Sequence, residues 1–369
     1  MGSVLLTAAL IVANEEHHLG ECLASLDGVV DQIVVVDTGS TDGSAALARS
    51  LGAELHQQPW SGDFSHARNA ALERAAGDWI LYIDADERLR PAPRGDVERL
   101  LGDDTRVAFR MLLHPFEHST PYREYRLWRN DPRIRFRGVI HEKVMPAIHE
   151  VAALDGRSVG DCTLALDHVG YNGDQAAKHR RNLPLLRAQL AAEPGNVFNW
   201  RHLGAILAAL GEKGEAEHAL RRAVELTRAG ETPGLHGSLA YADLVRLLHE
   251  RGEDARALVE EGLERYPDNW LLVWIRARLE IDAGWHEAAL GWLDRLTEVD
   301  VSRLPDAGVA YDARLFGSFA HASRGVCLFR LGRYEEAAAA YRAAQGCEPE
   351  SGEHELKARL AEARASAVR

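Results

Sequence analysis

The sequence lacks several features that would settle its class at once. It has four cysteines, Cys22, Cys162, Cys327 and Cys347, widely scattered and with no C-x-x-C pair. That spacing reads as reduced core thiols in a cytosolic protein rather than as disulfides or zinc ligands. No apolar run approaches the roughly 18 residues that a membrane span needs. The first residues, MGSVLLTAALIVANEE, are apolar but lack a basic n-region, so they read as a strand and not as a signal peptide. Positive charge is in deficit: 43 Lys and Arg against 56 Asp and Glu give a net charge of −13. A chain that acidic has no general footprint for nucleic acid or an anionic membrane. Neither G-x-G-x-x-G nor G-x-x-x-x-G-K-[ST] occurs, so no glycine-rich loop is present to cradle phosphates.

What is present begins with Gly77–Glu87, GDWILYIDADE. Trp79–Ile83 reads as a buried strand running into an acidic loop, Asp84-Ala85-Asp86. Carboxylates two residues apart at a strand end point the same way. Such a pair can share a hard divalent cation with a diphosphate, because Mg²⁺ takes one or two carboxylates plus substrate oxygens. By itself D-x-D is weak and equally describes a solvated loop.

The segments before it give it context. Leu5–Val12 is an apolar β-rich run ending at Ala13-Asn14-Glu15-Glu16, and His18–Leu26 has helical spacing. Gln32–Val36, QIVVV, has the continuous apolar character of a strand inside a parallel sheet. It stops at Asp37-Thr38-Gly39-Ser40-Thr41-Asp42-Gly43, where Ser40 or Asp42 can cap a helix through Ala45–Leu51. A further strand is expected around Ala53–His56. The β-α-β-α-β order predicts a doubly wound α/β nucleotide-binding domain with its ligands at the carboxyl ends of the strands. Those ends are Ala13–Glu16, Asp37–Asp42 and Asp84–Asp86. Without a phosphate-cradling loop, a diphosphate there must be held through a metal, which points towards a sugar nucleotide. Asp37 can accept a hydrogen bond from a base N–H, or it is simply a turn acid.

Four stretches now stand in order: VANEE at 12–16, VVVDTGSTDG at 34–43, FSHARN at 64–69 and GDWILYIDADE at 77–87. Together they resemble the family-two inverting glycosyltransferases of GT-A fold. The resemblance implies a nucleotide-sugar donor, a divalent cation (Mg²⁺ or Mn²⁺) and inversion at the anomeric carbon. Residue by residue it implies that Ala13, Asn14 and Glu15 line the base and ribose pocket and that Asp37 binds the base. Arg68 would approach the nucleotide, Asp84 would sit near the ribose or a metal water, Ala85 would border the nucleotide sugar, and Asp86 would bind the metal. Many relatives carry a base-stacking tyrosine where this chain has Ala13.

Arg106–His114 is an expected strand. The basic segment Arg123–Gly138, REYRLWRNDPRIRFRG, alternates from Tyr125 to Trp128 and from Arg133 to Phe136, as edge strands do. Most of its arginines read as solvent-facing, with phosphate contact open for some. Phe136–Glu142, FRGVIHE, matches an F-x-G-x-[IV]-H-E stretch of the related enzymes. An inverting transfer needs a carboxylate to deprotonate the acceptor; the resemblance makes Glu142 that base, with His141 as an alternative base or as orienter of the acceptor. His168, in the H-V-G-Y run that ends at Tyr171, resembles the end of such catalytic domains. An imidazole there can be a further metal ligand or touch the diphosphate.

From Gln175 the composition shifts to Ala, Leu, Glu and Arg with helical periodicity. Turn glycines at 211, 252, 284 and 332 are spaced by 41, 32 and 48 residues. The tetratricopeptide period is about 34, and insertions at Glu231–Gly237 and Ser302–Asp312 account for the two long gaps. The clearest unit runs from Gly325 through Gly332-Arg333-Tyr334 to Pro349. The half therefore resembles tetratricopeptide repeats, whose stacked helix pairs leave a groove suited to an extended peptide or to a homodimer contact. Trp200, Trp270, Trp274, Trp285 and Trp292 read as packing residues between helices.

The expected organisation is a GT-A domain over 1–173 and an all-α repeat domain over 174–369. The expected function is metal-dependent transfer from a nucleotide-diphosphate donor, most simply a UDP-sugar, to a peptide or saccharide acceptor. With the repeats, the chain resembles the peptide S-/O-glycosyltransferases of the sublancin type, and also transferases of cell-envelope polysaccharide assembly. A repeat scaffold carrying a dead nucleotide domain is the alternative, against which the acids at 37, 84, 86 and 142 argue. A nucleotidyltransferase would need a basic Gly-rich loop near its start, and Ala13–His18 offers none.

Overall fold

The computed structural model describes residues 5–170, 175–230 and 234–368. The chain divides into two compact units. The first comprises residues 1–117, 121–189 and 305–310, and the second 118–120, 190–304 and 311–369.

In the first unit the order is β1 (Leu6–Val12), α1 (Glu16–Ser25), β2 (Gln32–Asp37), α2 (Ser44–Ser50), β3 (Glu54–Gln57), α3 (Phe64–Leu72), β4 (Trp79–Tyr82), β5 (Glu87–Leu89), α4 (Arg94–Leu101), β6 (Arg106–His114), β7 (Tyr122–Arg129), α5 (Met145–Asp155) and β8 (Ser158–His168). They form one eight-stranded mixed sheet in the order β3-β2-β1-β4-β7-β6-β8-β5. The first four neighbours are parallel. β7 runs antiparallel between β4 and β6, β8 is parallel to β6, and β5 is antiparallel to β8.

Alternation along the strands explains why helices cover both faces. Leu6, Ala8, Leu10 and Val12 of β1 join Leu19 and Cys22 of α1, Ala48 of α2 and Val97 of α4 in one core. Ala9, with Val34 and Val36 of β2, faces Ala70 and Ala71 of α3 and Ile148 and Val151 of α5 in a second. Burial on both sides demands the uninterrupted apolar text of β2 and β4. Two sequence expectations are corrected here. Arg133–Phe136 forms no strand. Its alternation is real, since Ile134 and Phe136 are buried, but the segment lies against the α5 core and the edges of β4 and β6 are already taken by β7. Arg126, in the same basic stretch, is buried instead of facing solvent.

The second unit contains helix pairs. After α6 (Ala176–Ala192), which the first unit claims as far as Gln189, come α7 (Val197–Ala209) with α8 (Lys213–Ala229), and α9 (Leu235–Glu250) with α10 (Arg256–Arg265). Then follow α11 (Trp270–Asp282) with α12 (His286–Thr297), α13 (Ser318–Arg330) with α14 (Tyr334–Cys347), and the last helix α15 (Gly352–Val368). The expected turn glycines sit between the partners of each pair at φ 85° (Gly211), 72° (Gly252), 79° (Gly284) and 78° (Gly332). That left-handed region is one that glycine enters without penalty. Inside the pairs, Gly204 lets α7 approach Leu220, and Gly325 lets α13 approach Tyr341; a Cβ at either position would collide. Trp285 departs from its expected packing role, being exposed with the Arg256 guanidinium 5.1 Å from its ring.

Among the described residues, no helix is long and apolar enough to cross a membrane. The expected boundary at 173/174, part of the Glu231–Gly237 insertion and Tyr171 lie outside the described residues.

Candidate functional site

The carboxyl ends of the parallel strands converge on the Asp84–Asp86 turn that links β4 to β5. The turn is closed by its own backbone: Glu87 N–H donates to Asp84 O at 3.0 Å, and Asp84 N–H donates to Glu87 Oε2 at 2.9 Å. Pairing of β5 with β8 sets Glu87 opposite His168. The same register brings Val169 N–H to Asp86 O at 2.8 Å and His168 Nε2 to Asp86 Oδ2 at 3.4 Å. Gly170 follows, and a Cβ there would run into the Asp86 carboxylate, so glycine is what lets the chain pass over it. Burial lowers the pKa of His168, although Asp86 pulls the other way. A neutral imidazole keeps a lone pair for a metal.

Asp84 has a different environment. Arg68 Nη1 donates to its Oδ1 at 3.0 Å, Tyr82 Oη donates to its Oδ2 at 3.0 Å, and Arg126 Nη1 stands 3.5 Å from Oδ2. Both guanidinium groups lie over the Tyr82 ring, at 4.4 Å for Arg68 and 4.3 Å for Arg126. Cation–ring contacts of this kind gain strength where water is excluded. Burial alone would raise the Asp84 pKa, but Arg68 and Arg126 outweigh it and hold the carboxyl well below its usual range. Behind this cluster Arg126 Nη2 donates to the fully buried Glu87 at 2.7 Å.

Arg68 also donates through Nε to Glu142, so one side chain joins the Asp84 turn to the loop of the F-x-G-x-[IV]-H-E stretch. That loop is held from α3. Asn69 grips Phe136 with both ends of its amide, donating to O at 3.0 Å and accepting from N–H at 2.9 Å. Ser65 Oγ donates to Gly138 O at 2.6 Å, and Phe64 N–H donates to Val139 O at 2.9 Å. His141 has φ 55°, a left-handed conformation uncommon for a residue with a side chain. The chain reverses there and delivers Glu142 to Arg68.

At the ends of β1 and β2, Asn14 has φ 59° and accepts from Thr41 N–H at 2.8 Å, while its own N–H donates to Ser40 Oγ at 3.0 Å. Asp37 is buried and its Oδ1 accepts from Gly39 and Ser40 N–H at 3.1 and 2.8 Å, so it shapes its own turn. Glu15 N–H donates to Ser44 Oγ at 2.8 Å. Burial, with the charges of Asp86 and Asp84, pushes the Glu15 carboxyl up to about 7. Ala13 is half-buried, and the Ala85 side chain turns into the core, leaving its backbone to the loop.

Glu142, Arg68 and Asp84 are thus in direct contact, and Asp86 with His168 forms a second pair. Asp37 and Asn14 belong to the neighbouring loop system. Among the described residues no three His, Cys, Asp or Glu side chains converge to enclose a metal. One carboxylate and one neutral imidazole still fit a divalent cation that takes its remaining ligands from a bound diphosphate and water. Sequence reasoning missed Tyr82, Glu87, Asn69 and the inward Arg126. The available signal for Arg126 was its place next to Leu127 and Trp128 in a strand that must be covered.

Residues 7–154 match glycosyl transferase family 2, and residues 246–300 and 318–351 match tetratricopeptide repeat families. The first unit thus carries a family-two glycosyl transferase domain, and tetratricopeptide repeats follow it. More particularly, the chain is 33% identical over 258 residues to a TPR repeat-containing protein of Synechococcus elongatus, covering 68% of this chain and 63% of that one. It is 27% identical over 228 residues to the SPbeta prophage-derived glycosyltransferase SunS of Bacillus subtilis, covering 59% and 53%. It is 35% identical over 156 residues to the lipopolysaccharide core biosynthesis glycosyltransferase LpsC of Rhizobium meliloti, covering 38% and 57%. The matches therefore span between about half and two-thirds of the length of these relatives.

Proposed function

We propose that this protein is a metal-dependent inverting glycosyltransferase. It moves a sugar from a nucleotide-diphosphate donor, most simply a UDP-sugar, to an acceptor, in the cytoplasm. The observation that supports this most is the contact of Arg68 with both Glu142 and Asp84, beside the Asp86–His168 pair, at the carboxyl ends of parallel strands in a family-two domain. Asp86 and His168 would hold Mg²⁺ or Mn²⁺. Bound there, the cation would neutralise charge on the departing diphosphate.

The chain's own groups carry the rest of the reaction. Ala13, Asn14, Glu15 and Asp37 border the base and ribose. Arg68, fixed over Tyr82, orients the Glu142 carboxylate. Glu142 takes the proton from the acceptor as the acceptor attacks the anomeric carbon from the side opposite the leaving group. His141, turned by its left-handed backbone, lies beside that base and lines the acceptor side.

For the acceptor we favour a Cys or Ser of a ribosomally made peptide, seated on the tetratricopeptide repeats. SunS supports it as a glycosyltransferase among the relatives. A saccharide acceptor is the second reading, favoured by the similarity to LpsC.

The test is a panel of UDP- and GDP-sugars with Mn²⁺ or Mg²⁺, read as release of nucleoside diphosphate. Metal-dependent release with at least one donor is expected. Absence of both release and nucleotide binding overturns the proposal in favour of a non-catalytic scaffold. Mass spectrometry for a hexose-type shift on candidate peptides then separates the two acceptors.

A further inference from the structure

The helix α6 lies against the mouth of the site. Just before it, Gln175 Nε2 donates to Gly170 O at 3.0 Å, and Gly170 is the residue packed on Asp86. Arg181 sits over the ring of Phe64, 5.7 Å from its centre, at the start of the helix that carries Arg68. Near the other end Gln189 Oε1 accepts from Ile140 N–H at 3.2 Å, two residues from Glu142. Positions 178, 181, 185 and 189 are three, four and four residues apart, which puts them on one stripe of the helix. That stripe faces the acid turn at one end and the Glu142 loop at the other.

The site has a charge problem that this stripe answers. Its inner cations are already committed: Arg68 to Asp84 and Glu142, Arg126 to Glu87 and Asp84. A diphosphate arriving beside Glu15, Asp84 and Asp86 meets net negative charge. Lys178 and Arg181 are exposed, and neither forms an ion pair with a described residue. Their charges nevertheless reach the site, where both act on Glu15.

We infer that Lys178 and Arg181, carried on α6 beside the acid turn, form a binding site for the diphosphate group of the donor and of the nucleoside diphosphate product. This rests on the glycosyltransferase reading and adds to it. A lysine supplies a mobile point charge, and an arginine a two-pronged donor suited to phosphate oxygens.

The test uses the full chain with Lys178→Gln and Arg181→Gln combined, titrated with UDP, GDP and inorganic pyrophosphate at fixed Mn²⁺, with uridine and guanosine as uncharged probes. Arg180→Gln, on the opposite side of α6, is the control. Charge-assisted hydrogen bonds of this kind predict a loss of about ten- to a hundredfold in diphosphate and pyrophosphate affinity. Nucleoside binding, melting temperature and the control should not change. Equal affinity of wild type and double variant for every diphosphate probe overturns the inference while leaving the enzyme reading intact. A parallel loss of nucleoside binding also overturns it, because the effect would then be structural. Wild type that binds pyrophosphate but neither nucleotide overturns both the enzyme reading and the assignment of Lys178 and Arg181 to a nucleotide diphosphate. Wild type that binds none of the probes removes both.

Discussion

The two units share exposed arginine pairs, but the sheet unit also gathers buried ones at one place. In the sheet unit, Arg126 and Glu87 pair with side chains 9% and 0% exposed, and Arg68 pairs with Glu142 at 11% and 9%. In the repeat unit the most exposed pairs include Arg359 with Glu355, 73% and 53% exposed, one turn apart on a single helix. Burying a charge pair costs desolvation that mutual attraction barely offsets, and an exposed pair contributes little. The repeats thus place charge where it keeps helices soluble. The sheet unit accepts a costly arrangement at one place, the carboxyl end of its strands. Arg276 with Glu280 and Arg201 with Asp243 are largely buried pairs in the repeats, a reminder that depth alone does not define a site.

The comparison is broken most readily at the site. Asp86→Ala should remove metal-dependent donor turnover and leave the melting temperature near wild type; retained turnover would take the metal role from Asp86. Glu142→Gln should slow transfer by about 10²–10⁴-fold with donor affinity nearly intact. A change of only a few-fold, read as kcat against KM, would point to another base. Arg126→Ala leaves Glu87 buried without its partner and should cost about 3–5 kcal/mol in denaturant unfolding. A loss below about 1 kcal/mol would mean that the interior pair is no different from a surface one.

Glu15 sharpens the comparison through pH. Its carboxyl rises from an ordinary 4.5 to about 7 on folding, first by burial and then by Asp86 and Asp84. The folded chain therefore holds a proton that the unfolded chain has released, and stability falls as pH climbs from about 4.5 to 7. Glu15→Gln removes that titration. Its melting temperature relative to wild type should rise between pH 5 and pH 8, by the equivalent of about 1 kcal/mol once solvent screening of this part-exposed carboxyl is counted. A difference independent of pH would refute the shift. The smallest effect belongs to Arg359→Ala, expected within about 0.5 kcal/mol of wild type in the same unfolding assay.

Much of the sheet was legible because β1, β2 and β4 are covered on both faces and must be apolar throughout. The repeat glycines were legible because a left-handed turn leaves few alternatives. The missed parts were those whose partners are distant in sequence. β5 is three residues long and is held by β8, some eighty positions later. Arg126 looked like a surface residue because nothing local announces Glu87. Arg133–Phe136 copied the period of a strand while having no strand to join. Of the site, the acids at 84 and 86 and the His-Glu pair at 141–142 could be picked out from their patterns. The arginine bridge between them could not, because it depends on how α3 sits above Tyr82.

The placement of β8 sets an order of assembly. It lies between β6 and β5, so the outermost strand has nothing to join until residues 158–168 exist and have entered the sheet. Asp86 meets His168 in that same event. A nascent chain that has emerged from the ribosome only as far as α5 already contains most of the parallel sheet, yet its acid turn stays open. The meeting of Asp86 with His168 therefore depends on residues 158–168 having entered the sheet.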